Sequence, residues 1–236
     1  MGFFDPFEAA IFDLDGTLVD SMSLWEQVFR NWQFSLNRAP DREAAEAVKN
    51  MALTQSAEFV VRRFGLGIQP ETVISQWESL ALDEYREKVP LKNGAGELVR
   101  ALAARGMKLG IATSSFPAAC EAVLGRHGIR EFFSSIIYTD EIKSSPGNAG
   151  ESGKVRGKGF PDIWLAAASR LGVAPSKCVV FEDLRESLKG CRAAGIGAFI
   201  AVYDGTAPDW QELRREADLA LDSPGGALDL LQSVLF

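Results

Sequence analysis

Four short stretches of this 236-residue sequence carry side chains whose types and spacing can do chemistry. In Asp13-Leu14-Asp15-Gly16-Thr17, two carboxylates flank one apolar residue directly after the run Ala9-Ala10-Ile11-Phe12. Ligands of open α/β sheets bind beyond the carboxyl ends of the strands, so both acids would project into that crevice. Gly16 permits a tight turn and close backbone approach. The plain alternative is an Asx-turn closing a strand. A second acidic pair, Glu182-Asp183, follows the run Cys178–Phe181. By itself it reads equally well as a helix N-cap. Taken with the first pair, it makes four carboxylates at one sheet edge, which repel unless protonated or bound to a cation. Hard oxygen ligands with no His or Cys among them suit Mg²⁺, which keeps several waters and accepts substrate phosphate as a ligand.

Thr113-Ser114-Ser115 ends another apolar run, where hydroxyls and backbone N–H groups can hold phosphoryl oxygens, cap the next helix, or do both. Lys158 precedes Phe160-Pro161-Asp162. Placed beside the carboxylates, it would neutralise charge developing on a transferred phosphoryl group. The bland reading is a solvated surface lysine. Asp162 reads as a helix cap.

The elements that must position these groups follow from the hydrophobic pattern. Ala9–Phe12, Lys108–Ala112, Ser135–Tyr138, Cys178–Phe181 and Ala198–Val202 are short apolar runs bounded by turn or polar residues, as buried parallel strands are. Helical patterns at Gly94–Arg105, Pro117–His127, Pro161–Leu171 and Glu186–Ala194 alternate with them. This alternation predicts an α/β fold with a Rossmann-like, mostly parallel sheet. Residues 22–88 break it with consecutive helices near Ser23–Phe34, Arg42–Lys49, Thr54–Phe64 and Pro70–Lys88. In the last of these, Val73, Ile74, Trp77, Leu80, Ala81 and Tyr85 share one face, and Pro70 suits a first helical position. The expected organisation is a core domain of residues 1–20 and 90–236 with an inserted α-helical cap domain at 21–89, hinged at Val89-Pro90-Leu91-Lys92-Asn93-Gly94.

These motifs, in this order, resemble the haloacid dehalogenase superfamily of hydrolases, in particular its phosphatases and the similar β-phosphoglucomutases. The resemblance rests on Asp13-Leu14-Asp15-Gly16-Thr17-Leu18-Val19-Asp20-Ser21, on Lys158 with Pro161-Asp162, and on Phe181-Glu182-Asp183 with Ala193-Ala194-Gly195. It implies that Asp13 attacks phosphorus and becomes an aspartyl-phosphate. Asp15 then protonates the leaving oxygen and later activates the hydrolytic water. Mg²⁺ would be held by the Asp13 carboxylate, the Asp15 backbone carbonyl and Asp183, supported by Glu182. Thr113, Ser114 and Lys158 would orient and neutralise the phosphoryl oxygens. An acid at position 15 argues against dehalogenation, since a leaving halide needs no proton. The sequence departs from many relatives at Leu184, where they carry Ser, at Ser187, where they carry Gly, and in a longer stretch at 143–157.

The expected function is therefore Mg²⁺-dependent phosphate removal from a small phosphorylated metabolite. A hexose-phosphate mutase is the alternative on the same core. A non-catalytic binding protein would be expected to have lost a motif aspartate. Mutases need several basic cap groups for a second phosphate, and only Lys49, in Lys49-Asn50-Met51, is suitably placed. That tripeptide lies at a link between cap helices, where relatives select substrates, though a solvated turn reads as well.

The net charge of −7 disfavours nucleic-acid binding. No apolar run approaches membrane-spanning length, and the start shows no signal-peptide pattern. The three cysteines Cys120, Cys178 and Cys191 lack metal spacing and read as reduced thiols of a cytoplasmic protein, expected as a monomer or weak homodimer. Residues 143–157, rich in turn formers and with Lys143, Lys154 and Arg156 against the single acid Glu151, are expected to form a mobile loop: an accessory lid or an inert insertion. Trp25, Trp32, Phe34 and Trp77 are expected to pack within the cap, and His127 to cap a helix end or face solvent.

Overall fold

The computed structural model describes residues 2–48, 51, 53–142, 157–207 and 209–232. Six strands form one parallel sheet: β1 (Ala9–Phe12), β2 (Lys108–Thr113), β3 (Phe133–Tyr138), β4 (Cys178–Glu182), β5 (Ala198–Val202) and β6 (Leu219–Leu221). Their order is β3-β2-β1-β4-β5-β6. The chain winds outward from β1 to β3, then returns to pair β4 against the other side of β1. Strand order therefore reverses between β1 and β4. At such a switch point the connections leave in opposite directions and open a crevice beyond the strand ends.

Apolar side chains occupy both faces of the central strands because helices cover both. Side chains alternate along β1: Ala10 and Phe12 join one core, Ala9 and Ile11 the other. Phe12 sits opposite Phe181 in the β1–β4 pairing, and their rings stack with centroids 4.6 Å apart. This pairing places Asp13 and Glu182-Asp183 side by side at the sheet edge.

Between β1 and β2 the chain forms α1 (Met22–Ser35), α2 (Arg42–Val48), α3 (Leu53–Phe64) and α4 (Pro70–Glu87), followed by α5 (Ala95–Ala104). In α4 the buried residues Val73, Trp77, Ala81 and Tyr85 recur every fourth position and pack that helix against α1 and α3. Two expectations fail here. Leu80 is 44% exposed, lying just past the apolar stripe of α4, and Phe34 is 54% exposed, lying on the face of α1 opposite its buried residues Val28, Phe29 and Trp32. Trp32 and Trp77 do form the block's aromatic centre, with rings edge to face at 5.2 Å. Where the chain leaves and re-enters the sheet region, Asp20 N–H donates to Pro90 O at 3.0 Å and Lys92 N–H to Leu18 O at 2.9 Å. The two strands of this crossing are thus tied together.

The later helices are α6 (Pro117–Arg126), α7 (Asp162–Leu171), α8 (Arg185–Ala194), α9 (Trp210–Glu216) and α10 (Gly226–Gln232). Asp162 is the first residue of α7 and not its cap, a place taken by Pro161. His127 follows α6 as its C-cap, as the sequence suggests. Strand β6, α9 and α10, each three to seven residues long, are absent from the sequence reading. Among the described residues no helix is long and apolar enough to cross a membrane. Positions 143–156 of the expected loop, and Lys49-Asn50 of the expected specificity link, lie outside the described residues.

Candidate active site

The end of β1 delivers Asp13, and the end of β4 delivers Glu182 and Asp183. One carboxylate oxygen from each of the three lies within 4.8 Å of the others, and all three residues are buried. Lys158 Nζ donates to Asp13 Oδ1 and, at 2.9 Å, to Glu182 Oε1. The lysine is itself buried, so the surface reading of Lys158 does not hold. Its backbone is fixed from two sides. Trp164 Nε1 donates to Lys158 O at 2.8 Å, and a Cβ at Gly190 of α8 would collide with that same carbonyl. Gly190 therefore allows α8 to pass close under the lysine's loop.

Glu182 is fully engaged. Its Oε1 accepts from Lys158 and, at 2.7 Å, from Ser187 Oγ, while its Oε2 accepts the Leu184 N–H at 2.6 Å. These bonds orient the lysine and the start of α8, whose cap position belongs to Leu184 and not to either acid. Thr17 Oγ1 donates to Asp183 Oδ1 at 3.2 Å, and Gly16, at φ +85°, lies so close to Asp183 that a Cβ would strike its carboxylate. A glycine is required there on both counts.

The electrostatics of this cluster call for a cation. Burial, with the charges of Glu182 and Asp15, lifts Asp13 to about 7 even though Lys158 pulls the other way. Burial, Glu182 and Asp13 likewise push Asp183 well above the usual carboxylate range. Burial disfavours the charge on Lys158, but Asp13 and Glu182 outweigh it and hold the ammonium ionised. One lysine faces three buried carboxylates, so the cluster must take up protons or a cation to balance its charge. An all-oxygen donor set of that charge fits a hard divalent cation.

Asp15 stands apart from the cluster. Its Oδ1 accepts from Ser21 Oγ at 2.5 Å and from the hydroxyl of Tyr85, which itself accepts from Trp25 Nε1 at 2.8 Å. Burial, and the charge of Asp15 beside it, keep the Tyr85 phenol protonated and hence a donor. Tyr85 sits on α4 and Trp25 on α1, so the helical block grips the second motif aspartate directly.

Asp13, Asp15, Thr113, Ser114, Lys158 and Asp183 all line one cavity of about 190 Å³. The structure thus brings every sequence-predicted site residue to one place, with Glu182 directly behind. Thr113 Oγ1 accepts the Ser115 N–H at 2.9 Å, shaping the β2 turn, while Phe116 takes the cap position of α6. Sequence reasoning missed Ser187, Thr17, Trp164 and Tyr85 as supports. Ser187 was legible only as a departure from the usual Gly. Tyr85 looked like one more apolar-face residue of α4.

The haloacid dehalogenase-like hydrolase family matches residues 7–195, and the chain belongs to that family. Hexitol phosphatase A of Escherichia coli is 32% identical over 214 residues, covering 90% of this chain and 89% of the relative. The phosphorylated carbohydrates phosphatase of Thermotoga maritima is 24% identical over 228 residues, covering 97% of this chain and 100% of the relative. The crystal structure of β-phosphoglucomutase from Clostridium difficile superposes with a TM-score of 0.74 at 19% identity, over 97% of this chain and 99% of that one. At that identity the likeness is one of fold alone.

Proposed function

We propose that this protein is a Mg²⁺-dependent phosphatase of a small phosphorylated molecule, working through an aspartyl-phosphate on Asp13, with residues 21–89 acting as a cap over a core of residues 1–20 and 90–236. The observation that carries the reading is the convergence of Asp13, Glu182 and Asp183 on one point with Lys158 bound to Asp13. Asp13, Asp183 and the backbone carbonyl of Asp15 would hold Mg²⁺. Once bound, the ion would supply charge stabilisation to the phosphoryl oxygens.

The carboxylate of Asp13 attacks phosphorus in line, forming the acyl-phosphate bond as the ester P–O bond breaks. Asp15 gives its proton to the departing alcohol oxygen. Ser21 and Tyr85 both bond to Oδ1, which leaves Oδ2 as the oxygen that exchanges the proton. Water then attacks the phosphorus, Asp15 takes the proton back, and Asp13 leaves as a free carboxylate. Lys158, Thr113 and Ser114 orient the phosphoryl oxygens and offset their charge. Closure by the helical block would exclude bulk water.

A panel of phosphorylated metabolites assayed with Mg²⁺ tests this reading. Stoichiometric phosphate release is expected. Accumulation of an isomerised sugar phosphate would favour the mutase instead, and no reaction with any ester would favour a binding protein on this scaffold.

Tyr85 is a positioning residue in this scheme. Tyr85→Phe keeps the ring against Trp25 and Phe116 but removes one donor from Asp15. A hydrogen bond to a charged group contributes about 1.5–3 kcal/mol, so kcat is expected to fall about tenfold or more while KM stays within about twofold. A KM change in step with kcat would show that Tyr85 serves binding and not Asp15.

A further inference from the structure

Three tryptophans of this protein give their indole N–H to an oxygen. Trp25 Nε1 donates to the Tyr85 hydroxyl, Trp32 Nε1 to Gln76 Oε1 and Trp164 Nε1 to Lys158 O, each at 2.8 Å. Trp77 does not. It is 4% exposed, and its Nε1 is buried with no hydrogen-bond partner among the described residues. The rings of Phe29 and Trp32 stand edge to face with it, and a π face is a weak acceptor beside an oxygen. A buried donor left unpaired is costly, so a partner that arrives from outside gains the full value of the bond. Trp77 lines the same cavity as Asp13, Asp15, Lys158 and Asp183, and what enters that cavity is the substrate.

We propose that the Trp77 indole N–H is a substrate-recognition donor, and that the alcohol carried by the substrate phosphate is an elongated one with an acceptor oxygen at its far end. This rests on the phosphatase reading and narrows its substrate class.

Two features set these terms. An indole N–H donates and never accepts, so a hydroxyl, carbonyl or ether oxygen can meet it and an ammonium cannot. Trp77 and Tyr85 share one face of α4, about 12 Å apart along its axis. Tyr85 reaches Asp15, the acid assigned to the leaving oxygen. An atom bonded to Trp77 therefore lies well away from the phosphoryl end. Such a donor selects by what is missing. An analogue without the oxygen leaves the N–H unpaired and loses roughly 5- to 100-fold in kcat/KM.

The test uses the full chain with Mg²⁺ and phosphate esters of straight-chain primary alcohols, about three to eight carbons long. At each length the ω-hydroxyalkyl ester is compared with the plain alkyl ester. The ratio of their kcat/KM values is expected to stay near or below one for the shortest chains and to rise at least about fivefold at a greater length. There an ω-methoxy ester should keep the gain and an ω-amino ester should lose it. Trp77→Phe is expected to remove the gain while turnover of the alkyl esters stays within about threefold. Should that variant fold poorly, 3-benzothienylalanine in place of Trp77 keeps the bicyclic shape without the N–H and carries the same expectation. A ratio flat with length, a gain retained in a folded variant that lacks the N–H, or an equal gain from the ω-amino ester overturns the assignment of Trp77 and leaves the phosphatase reading standing. Release of phosphate from none of these esters, nor from the wider metabolite panel, overturns the phosphatase reading itself.

Discussion

Asp13→Asn is expected to leave the protein folded and to reduce steady-state phosphate release by at least about 10⁴-fold, the scale of loss when a covalent nucleophile is removed. The amide is nearly isosteric with the carboxylate, so no cavity opens at the end of β1. Lys158 keeps its second partner, Glu182 Oε1 at 2.9 Å, and is not stranded as an unpaired buried charge. What disappears is an oxygen nucleophile able to form an acyl-phosphate. The substitution also removes one of three mutually repelling buried carboxylates. Thermal stability at pH 8 without metal should therefore be equal to the wild type's or higher, opposite to the usual sign for a buried substitution. Phosphate release and a thermal melt on the same preparation check both halves. Substantial activity in rigorously purified, folded Asp13→Asn protein would rule out the covalent mechanism. A large drop in melting temperature would show that Asp13 contributes chiefly to the fold.

Much of this site was readable because its chemistry sits where the sheet ends. Runs such as Ala9–Phe12 and Cys178–Phe181 announce strands, and the acids that follow each run must emerge at the same edge if the strands are parallel neighbours. What pattern cannot supply is adjacency. Lys158 read singly as a surface lysine, yet its side chain is buried against Asp13 and Glu182. Its placement depends on Gly190 and Trp164, far away in sequence and carrying no local signal of that role. Tyr85 shows the same limit from the other side. Its spacing with Trp77 and Ala81 correctly marks the packed face of α4, but hydrophobic periodicity does not report that a hydroxyl at the end of that face meets Asp15. Phe34 falls on the face of α1 opposite its buried residues, where helical spacing already points to solvent, whereas Leu80 marks the resolution of the periodicity argument. A residue at the edge of an apolar stripe can turn either way, and packing against neighbouring helices decides which.

Removing divalent cations with excess chelator is expected to lower turnover by more than about 10³-fold, the scale of several kcal/mol of transition-state stabilisation. Excess Mg²⁺ should restore it, and Ca²⁺ should substitute poorly because its looser coordination does not hold in-line geometry. A second readout does not depend on activity. Asp13 is raised from 3.8 to about 7, so between those pH values the metal-free folded protein holds a proton that the unfolded chain has released. The stability this confers is complete below about pH 4 and lost as pH rises through 7. Asp183, raised by burial and by Glu182 and Asp13, adds in the same sense. Asp41 and Glu216, held low by Arg63 and Arg185, act only at more acidic pH and do not oppose this slope. Mg²⁺ binds the ionised carboxylates, so its stabilisation must grow over the same range in which the metal-free protein weakens. At a hundredfold excess over its dissociation constant a ligand stabilises by about 2.7 kcal/mol, or roughly 5–10 °C for a chain of this size. The Mg²⁺-dependent rise in melting temperature should therefore be of that order at pH 8 and much smaller at pH 5. Groups such as Glu78, raised mainly by burial, contribute to both melts and cancel in the difference. An equal Mg²⁺ shift at both pH values would place the ion away from Asp13 and Asp183, and full activity in excess chelator would remove it from the reaction.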